Sequence, residues 1–533
     1  MCSILKSQEI VAFGCYGNLA SSPRIEEREY QRNIFESAKS ANTLVVLPTG
    51  LGKTMISALM ADHRLGIYPG TKILFVAPTK PLVNQHCKTF SHITTAAVGA
   101  ISGDIDKVKR ADIYSRADVV FATPQTVEHD MLDGTVDFSK FSLLIVDEAH
   151  HAIGNYAYVK IAGEFMNKSA HPLILALTAS PASDIEKIHA ICGNLSITNV
   201  EIRGEDDPDV APYIKSKTVE EVLVKLPKEM SDMLSSVRAL ISEQALALQG
   251  VGLMKNVPVN RINRTTILML QKNLQRQMLS GNKTFYTIRG IIIISKLLKL
   301  YHAAGMLSTQ NLESFHKFLH KIIKSGTSKT DKELANSAAI KDLYSASAEC
   351  LSRGVEHPKL GEIKRILSEN LKPNQRAIIF TQYRDTVDVI FSHIKGMENI
   401  RPVKFVGQNK GGLSQKEQIN IIKDFEAGVY NVLISTSVSE EGMSIKGADL
   451  AVFYETVPSA IRSIQRRGRV GRFNAGRVFV LITEGTNDEG YNWVAKRKEN
   501  KMRKLIRKIK DNPDNLKQDG TLKPFVGNRA GSA

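Results

Sequence analysis

No two of the five cysteines, Cys2, Cys15, Cys87, Cys192 and Cys350, form a C-x-x-C pair. That scatter argues against a zinc ribbon, a four-cysteine iron–sulfur cluster or a disulfide framework, and it suits a reducing compartment. Acidic residues are also in short supply. Against 71 Lys and Arg there are 54 Asp and Glu, a formal net charge of +17 with pI near 9.4. Such a balance favours a polyanionic partner, nucleic acid first, although charge speaks to association and not to fold. No apolar stretch reaches the roughly 20 residues of a membrane span. The N-terminus lacks a basic region followed by an apolar core and a small-residue cleavage site. The expectation is therefore a soluble intracellular protein without a membrane partner, cytoplasmic or nucleoid-associated if prokaryotic. No short solenoid repeat is present. A single core is excluded by length, because cores stop growing near roughly 250 to 300 residues.

What the chain does have is a phosphate loop. Leu47, Pro48, Thr49, Gly50, Leu51, Gly52, Lys53 and Thr54 follow a β-rich run from Thr43 to Val46. Glycines at those offsets let successive backbone N–H groups turn inward around phosphates. Lys53 can neutralise the β and γ oxygens, and the Thr54 hydroxyl can ligate Mg2+. Leu47 stands where the general pattern has its first glycine. Nearly a hundred residues on, the apolar run Leu143–Ile145 leads into Val146, Asp147, Glu148, Ala149 and His150. Asp147 can hold the magnesium through water while Glu148 orients or deprotonates the water attacking the γ-phosphate. Loop and carboxylate pair together predict a nucleoside triphosphatase.

The pattern along the chain predicts two α/β units with a helical region between them. Short apolar runs at Thr43–Leu47, Lys72–Val76, Asp118–Ala122, Leu143–Val146 and Leu173–Leu177 alternate with helix-like segments, as in a parallel sheet with crossover helices. A second series comprises Ala377–Phe380, Val403–Val406, Val432–Ser435, Leu450–Phe453 and Val478–Ile482. From Thr218 to Glu356 the alternation stops and helical periodicity takes over, at Met230–Leu248, Leu268–Leu279 and Leu312–Ile323. The expected fold is thus α/β, with two RecA-like parallel-sheet domains (28–217 and 357–492), a helical insert (218–356), an N-terminal segment (1–27) and a basic helix with a tail (493–533). The insert carries about eight more basic than acidic residues. Either it grips nucleic acid, through residues such as Lys255, Arg261, Arg264, Lys272 and Arg276, or it is a solvated helical face. Near the C-terminus Met502, Leu505, Ile506 and Ile509 share one helical stripe, which predicts a docked helix. Composition after Asn512 predicts disorder.

The second α/β unit contains Gln465, Arg466, Arg467, Gly468, Arg469, Val470, Gly471 and Arg472. Four arginines in eight residues would repel one another on a solvated helix, so a polyphosphate anchor accounts for them better. Arg469 and Arg472 are the candidate arginine fingers, with Gln465 beside them. Fingers on one domain and loop on the other would let a bound nucleotide close the cleft and its hydrolysis release it.

These strings resemble superfamily 2 helicases, and the full set is closest to the archaeal Hef helicase and the Fanconi anaemia M helicases. The resemblance runs from about Arg28 to Lys498. It rests on L-P-T-G-L-G-K-T (47–54), A-P-T-K-P-L-V (77–83), V-D-E-A-H-H (146–151), F-V-G-Q (405–408), the run from Val452 to Arg472, and E-G-T-N-D-E (484–489). The resemblance implies ATP with Mg2+ as cofactors and branched or forked DNA as partner. It assigns Arg28 and Gln31 to the base, and Thr178 and Ser180 to coupling hydrolysis to strand movement. It places Pro78, Thr79, Thr123, Pro124, Gln382, Gln408 and Thr436 on the tracked backbone, where such side chains position a strand without reading its sequence. The helical insert sits where this family carries a domain implicated in gripping branched duplexes. Ser444 occupies the position where related motors carry Asp beside the ribose, so it joins the ATP-binding set with a weaker grip. Hef adds a nuclease with an E-R-K-x-x-x-D site, a string absent from this sequence, so no nuclease activity is expected.

Two other readings compete with an ATP-dependent DNA helicase or translocase. A duplex-RNA-stimulated translocase of RIG-I type shares the core and insert, but it usually carries a zinc-binding C-terminal module that the scattered cysteines do not supply. A catalytically dead nucleic-acid-binding scaffold would be expected to have lost Lys53, Glu148 or a finger, and all are present.

Overall fold

The computed structural model describes residues 28–179, 184–214, 217–254, 257–258, 261–281, 284–326, 328–407, 412–436, 448–457 and 476–511. Short runs of Val, Ile, Leu and Phe with no polar alternation suit strands covered on both faces, and they form parallel sheets. The first region alternates through α1 (Glu29–Ala38), β1 (Thr43–Val46), α2 (Lys53–Ile67), β2 (Lys72–Val76), α3 (Lys80–Ile93), β3 (Val98–Ile101), α4 (Lys107–Arg116), β4 (Val119–Ala122), α5 (Pro124–Leu132), β5 (Phe141–Val146), α6 (Ala157–Lys168), β6 (Ile174–Thr178), α7 (Ile185–Asn194) and β7 (Asn199–Ile202). Its seven strands run in the order β3-β4-β2-β5-β6-β1-β7, every pair parallel. Alternate side chains of the central strands feed two cores. Leu44, Leu74 and Leu144 point into one, and Val45, Phe75 and Ile145 into the other.

A further strand, β8 (Lys217–Val224), precedes the helices α8 (Lys228–Gly250), α9 (Arg264–Leu279), α10 (Phe285–Gly305), α11 (Leu312–Ser325), α12 (Lys329–Ala335) and α13 (Ala338–Ser352). The second α/β region follows with α14 (Pro358–Asn370), β9 (Ala377–Phe380), α15 (Arg384–Ile394), β10 (Pro402–Phe405), α16 (Gln415–Glu426), β11 (Val432–Ser435), β12 (Leu450–Phe453), β13 (Gly476–Thr483) and α17 (Asn487–Asp511). Its six-stranded parallel sheet has the order β10-β11-β9-β12-β13-β8. The helices α8 to α13 have cores of their own, one around Met230, Phe315 and Leu319 and one around Ile267, Leu274 and Leu297.

Three features differ from the sequence reading. Residues 218–224, which periodicity assigns to the helical insert, pair in register with β13 and belong to the second sheet. Polar Glu220 and Glu221 disguise this strand because it is an edge; they form ion pairs with Arg477 and Lys496. Secondly, the segment Phe285–Gln310 is long and apolar enough to cross a membrane by length and composition, contrary to the expectation that no such stretch exists. The core helix of a helical bundle passes the same test, and Ile293, Ile294, Leu297 and Leu300 are buried against the neighbouring helices. Thirdly, the C-terminal helix begins at Asn487, inside the span assigned to the second domain.

The insert is fastened to the second sheet at a π-helical turn, Met306–Gln310, that follows α10. Tyr454, beyond β12, donates its hydroxyl proton to the Gln310 carbonyl, and the Thr386 hydroxyl donates to the Gln310 side chain. All three residues are buried, so these bonds act in a low-dielectric seam.

Candidate nucleotide and nucleic-acid site

In both sheets the candidate residues gather at the C-terminal ends of the strands, where parallel α/β sheets place their ligands. The loop 47–52 leaves β1 there. Buried Leu47 donates its backbone N–H to the Thr178 carbonyl at 3.0 Å, tying the loop to the end of β6. Gly50 and Gly52 take φ of +85° and +77°, a left-handed conformation that side chains disfavour. A Cβ at Gly52 would also lie 2.3 Å from Gln31 Nε2. Gly52 caps α2, whose first N–H groups are the donors a phosphate would take. Lys53 Nζ donates to the Leu47 carbonyl at 3.1 Å, which folds the ammonium back over the loop. Pro48 and Thr49 are partly exposed between them.

Thr54 and Asp147 are joined by a residue that the sequence does not flag. His86, on α3, lies with Nδ1 3.4 Å from the Thr54 hydroxyl and Nε2 3.0 Å from Asp147 Oδ2. Its ring rests on Phe75, centroids 4.6 Å apart. Burial alone would raise the Asp147 pKa, but the His86 hydrogen bond and the charges of His86 and Lys53 outweigh it and hold the carboxyl below the usual range. A hydroxyl and an ionised carboxylate brought together in this way are hard oxygen donors, a set that fits Mg2+. Tyr158 donates its hydroxyl proton to the Asp147 carbonyl at 2.7 Å and so fixes the backbone beneath the carboxylate. No spacing rule marks His86, since the histidine comes from a crossover helix and reaches the site only through the packing of α3.

Glu148 has φ of +48°, a conformation costing a non-glycine residue about 1–2 kcal/mol. The turn brings Glu148 Oε2 within 3.3 Å of His150 Nδ1, and the same nitrogen lies 3.3 Å from the Thr178 hydroxyl. The candidate water-activating carboxylate is thus connected through one imidazole to the end of β6. Ser180, the other predicted coupling residue, lies outside the described residues.

On the far side of the loop, Tyr30 and Gln31 both donate to the Leu51 carbonyl, at 2.7 and 3.1 Å. Arg28 donates to the Tyr30 hydroxyl and lies over the Tyr213 ring at 4.8 Å. Gln31 Oε1 is buried without a hydrogen-bond partner among the described residues, an acceptor that an exocyclic amine of a base would satisfy.

The predicted tracking residues line the rims of the two sheets. Pro78 and Thr79 follow β2, and the Thr79 hydroxyl is buried and unpartnered among the described residues. Thr123 and Pro124 follow β4, with the Thr123 hydroxyl bonded to that of Thr126 at 2.7 Å. In the second sheet Gln382 follows β9, where Glu455 accepts from its backbone N–H and its amide lies 3.5 Å from the Thr456 carbonyl. Thr436 follows β11 and donates its N–H to the Phe405 carbonyl at 3.2 Å. Gln408, Ser444, Gln465, Arg469, Arg472 and the insert residue Lys255 lie outside the described residues. The structure therefore groups the loop, Thr54, Asp147, Glu148, Thr178, Arg28 and Gln31 around one rim. Arg261, Arg264, Lys272 and Arg276 are exposed on the insert, and none of them makes an ion pair among the described residues. Arg264 lines a cavity of about 210 Å³ that also touches His302, Gln382 and Tyr383, so the insert and the tracking rim meet there.

Comparison with known proteins settles what this arrangement belongs to. The helicase domain of Hef from Pyrococcus furiosus is 39% identical to the chain, which covers 97% of that domain's structure with a TM-score of 0.66 over 87% of its own length. The chain belongs to the Hef family of superfamily 2 helicases. Its Hef-type layout is matched region by region. The model for the type III restriction enzyme res subunit matches residues 24–183, the helicase conserved C-terminal domain matches 358–474, and an RNA-helicase helical bundle matches 227–352. Among curated relatives, a Methanocaldococcus jannaschii protein described as a "Putative ATP-dependent RNA helicase" is 38% identical over 91% of this chain and 61% of its own length. The ATP-dependent DNA helicase MPH1 of Scheffersomyces stipitis is 32% identical over 89% of this chain and 50% of its own length. The chain spans between half and about three-fifths of these two Hef-type relatives.

Proposed function

We propose that this Hef-type chain hydrolyses ATP to move along DNA and acts on branched substrates such as forks and Holliday junctions, in DNA repair and fork processing. The observation that carries the proposal is that His150 Nδ1 lies within 3.3 Å of both Glu148 Oε2 and the Thr178 hydroxyl, at a strand end tied to the phosphate loop by the Leu47 N–H. It gives hydrolysis a physical route to the rim where a strand would be tracked. The chemistry Mg2+ would supply when bound is neutralisation of phosphate charge. Thr54 and Asp147 would hold that ion, Lys53 would bind the phosphates, and Glu148 would orient the attacking water and accept its proton. Gln31 and Arg28 would read the base edge and pack beside it. Pro78, Thr79, Thr123, Gln382 and Thr436 would contact the strand's phosphates and sugars, positioning it without reading sequence.

The branched-DNA part of the reading rests on the cationic insert and on relatives named for DNA helicases. The M. jannaschii and Arabidopsis relatives carry RNA-helicase names, so the test compares both nucleic acids. ATP turnover is measured with single-stranded DNA, duplex DNA, forked DNA and duplex RNA in parallel. The fork is expected to stimulate most, and stimulation by RNA alone would overturn the DNA assignment.

A further inference from the structure

Between Glu243 and Glu313 the sequence contains no acidic residue and nine Lys or Arg. This stretch holds α9, α10 and the bend between them. Three of its cations are neutralised from elsewhere. Arg289 and Lys296 pair with Glu333, and Lys299 pairs with Asp331, both acids coming from α12. Those pairs line α10 from one turn past its start to beyond its middle, whereas Lys272 and Arg276 face outward along α9 without ion-pair partners among the described residues.

The tip of the α9–α10 hairpin is apolar as well as cationic. Leu279 is 89% exposed, Phe285 75% and Tyr286 62%, large side chains of kinds that a monomer ordinarily covers when they occur together. The Phe285 and Tyr286 rings meet edge to face with centroids 6.0 Å apart. On α9, Met269, Lys272, Arg276 and Leu279 fall on one exposed face, while Ile267 and Leu274 on the opposite face are buried. The hairpin itself is held closely. A Cβ at Gly290 would lie 2.5 Å from Leu253 Cδ1 and 3.2 Å from Leu274 Cδ1, so these two leucines pack directly on the α10 backbone here. The exposed pair therefore projects from a packed base.

The geometry points to Phe285 and Tyr286 as a wedge that stacks on the end base pair of a duplex arm where its strands part, while Lys272 and Arg276 hold the flanking phosphates. Aromatic rings beside unpaired cations, with no carboxylate in the surrounding stretch, match the two halves of a nucleic-acid end: a flat base pair and the charged backbones on either side. A protein partner with an apolar surface would satisfy the rings but leave those cations without a reason. The inference rests on the branched-DNA reading and adds to it the place where the branch point is held.

The test replaces both rings, Phe285→Ala with Tyr286→Ala, and compares the variant with the ring-preserving pair Phe285→Tyr with Tyr286→Phe. Three quantities are read for each: single-strand-stimulated ATPase, displacement of one strand from a fork, and fluorescence of 2-aminopurine placed in the base pair next to the branch. The alanine pair is expected to keep the ATPase within about twofold, to displace the strand roughly tenfold more slowly, and to lose the 2-aminopurine response. The ring-preserving pair should behave as the unaltered protein. Wild-type displacement and fluorescence in the alanine pair would overturn the wedge while leaving the motor intact. A shift in molar mass by light scattering, with fork activity untouched, would assign the patch to a second copy of the chain instead. Absence of any DNA-stimulated turnover in the unaltered protein would remove the motor reading itself, a failure that the first readout separates from the other two.

Discussion

At the scale of single residues, the site depends on groups that do different work within a few ångströms. Lys53 carries the positive charge over the loop, so Lys53→Ala should abolish ATP hydrolysis while much DNA affinity remains, because the tracking rim lies apart from it. Paired ATPase and DNA-binding titrations check this, and retained turnover would count against the motor. Glu148→Gln keeps shape and hydrogen bonding but cannot accept a proton. ATP-bound protein that closes on DNA and does not turn over is the expected outcome, measured as stable complexes in ATP with little phosphate release. His86 contacts both Thr54 and Asp147, so under the proposed function it would orient the donors of the magnesium ion. Groups that orient metal ligands are typically worth 10- to 100-fold in metal affinity. His86→Ala is therefore expected to raise the Mg2+ concentration for half-maximal hydrolysis by about tenfold, with the maximal rate falling less. An unchanged Mg2+ requirement would mean that the histidine only packs against Phe75.

At the scale of elements, the junction between the insert and the second sheet carries a pH dependence. His357 caps α14 and is fully buried; burial, reinforced by the Lys359 charge, pushes its pKa down to about 3. A histidine with a folded pKa below its unfolded value of about 6.5 lets the unfolded chain bind more protons, so stability falls as pH drops below that unfolded value. By pH 5 the loss should reach about 2 kcal/mol, growing until pH nears 3. Thermal unfolding of the second domain at pH 7.5 and 5.0 should show a drop that His357→Asn reduces. The buried Lys359–Asp488 pair joins α14 to the start of α17 beside it. The burial of these two groups was invisible in the sequence, where a histidine and a lysine on either side of Pro358 carry no mark of it. What was legible had a simple physical cause. Central strands such as β2, β9 and β11 are covered on both faces, so unbroken apolar runs announce them. Edge strands β3, β7 and β8 are only partly covered and carry Gly, Asn or Glu, which hides them. The phosphate loop and the D-E-A-H string were legible because phosphate and metal chemistry demand fixed residue types at short spacing. His86 and the ring pair Phe285–Tyr286 were not, since their meaning comes from three-dimensional neighbours.

At the scale of the whole molecule, the proposed motor would need its two sheets to part and close without separating. The arginines on the second domain would supply the closing force, and Arg469→Ala or Arg472→Ala should depress turnover more than ATP binding, since such fingers can be worth about three to five orders of magnitude in rate. Equal losses in Kd and kcat would make them ground-state ligands only. Helix α17 supplies the opposite element, a permanent tie. It starts beside β13, where Asp488 is buried in the second domain, and runs about 37 Å at 1.5 Å per residue. At its far end Ile509 is buried in the core of the first sheet with Leu505 against it. The accompanying ion pairs, Lys501 with Asp184 and Arg507 with Asp206, are exposed and contribute about 0–1 kcal/mol each. Apolar burial therefore dominates the attachment, and truncating a buried isoleucine typically costs about 2–5 kcal/mol. Ile509→Ala should release the end of the helix, lower the effective concentration of one domain at the other, and reduce DNA-stimulated ATPase several-fold while nucleotide binding by the first domain persists. Limited trypsin digestion should also cut more readily at the lysines and arginines of α17. Unaltered cleavage together with full DNA stimulation would show that the two domains stay joined without this helix.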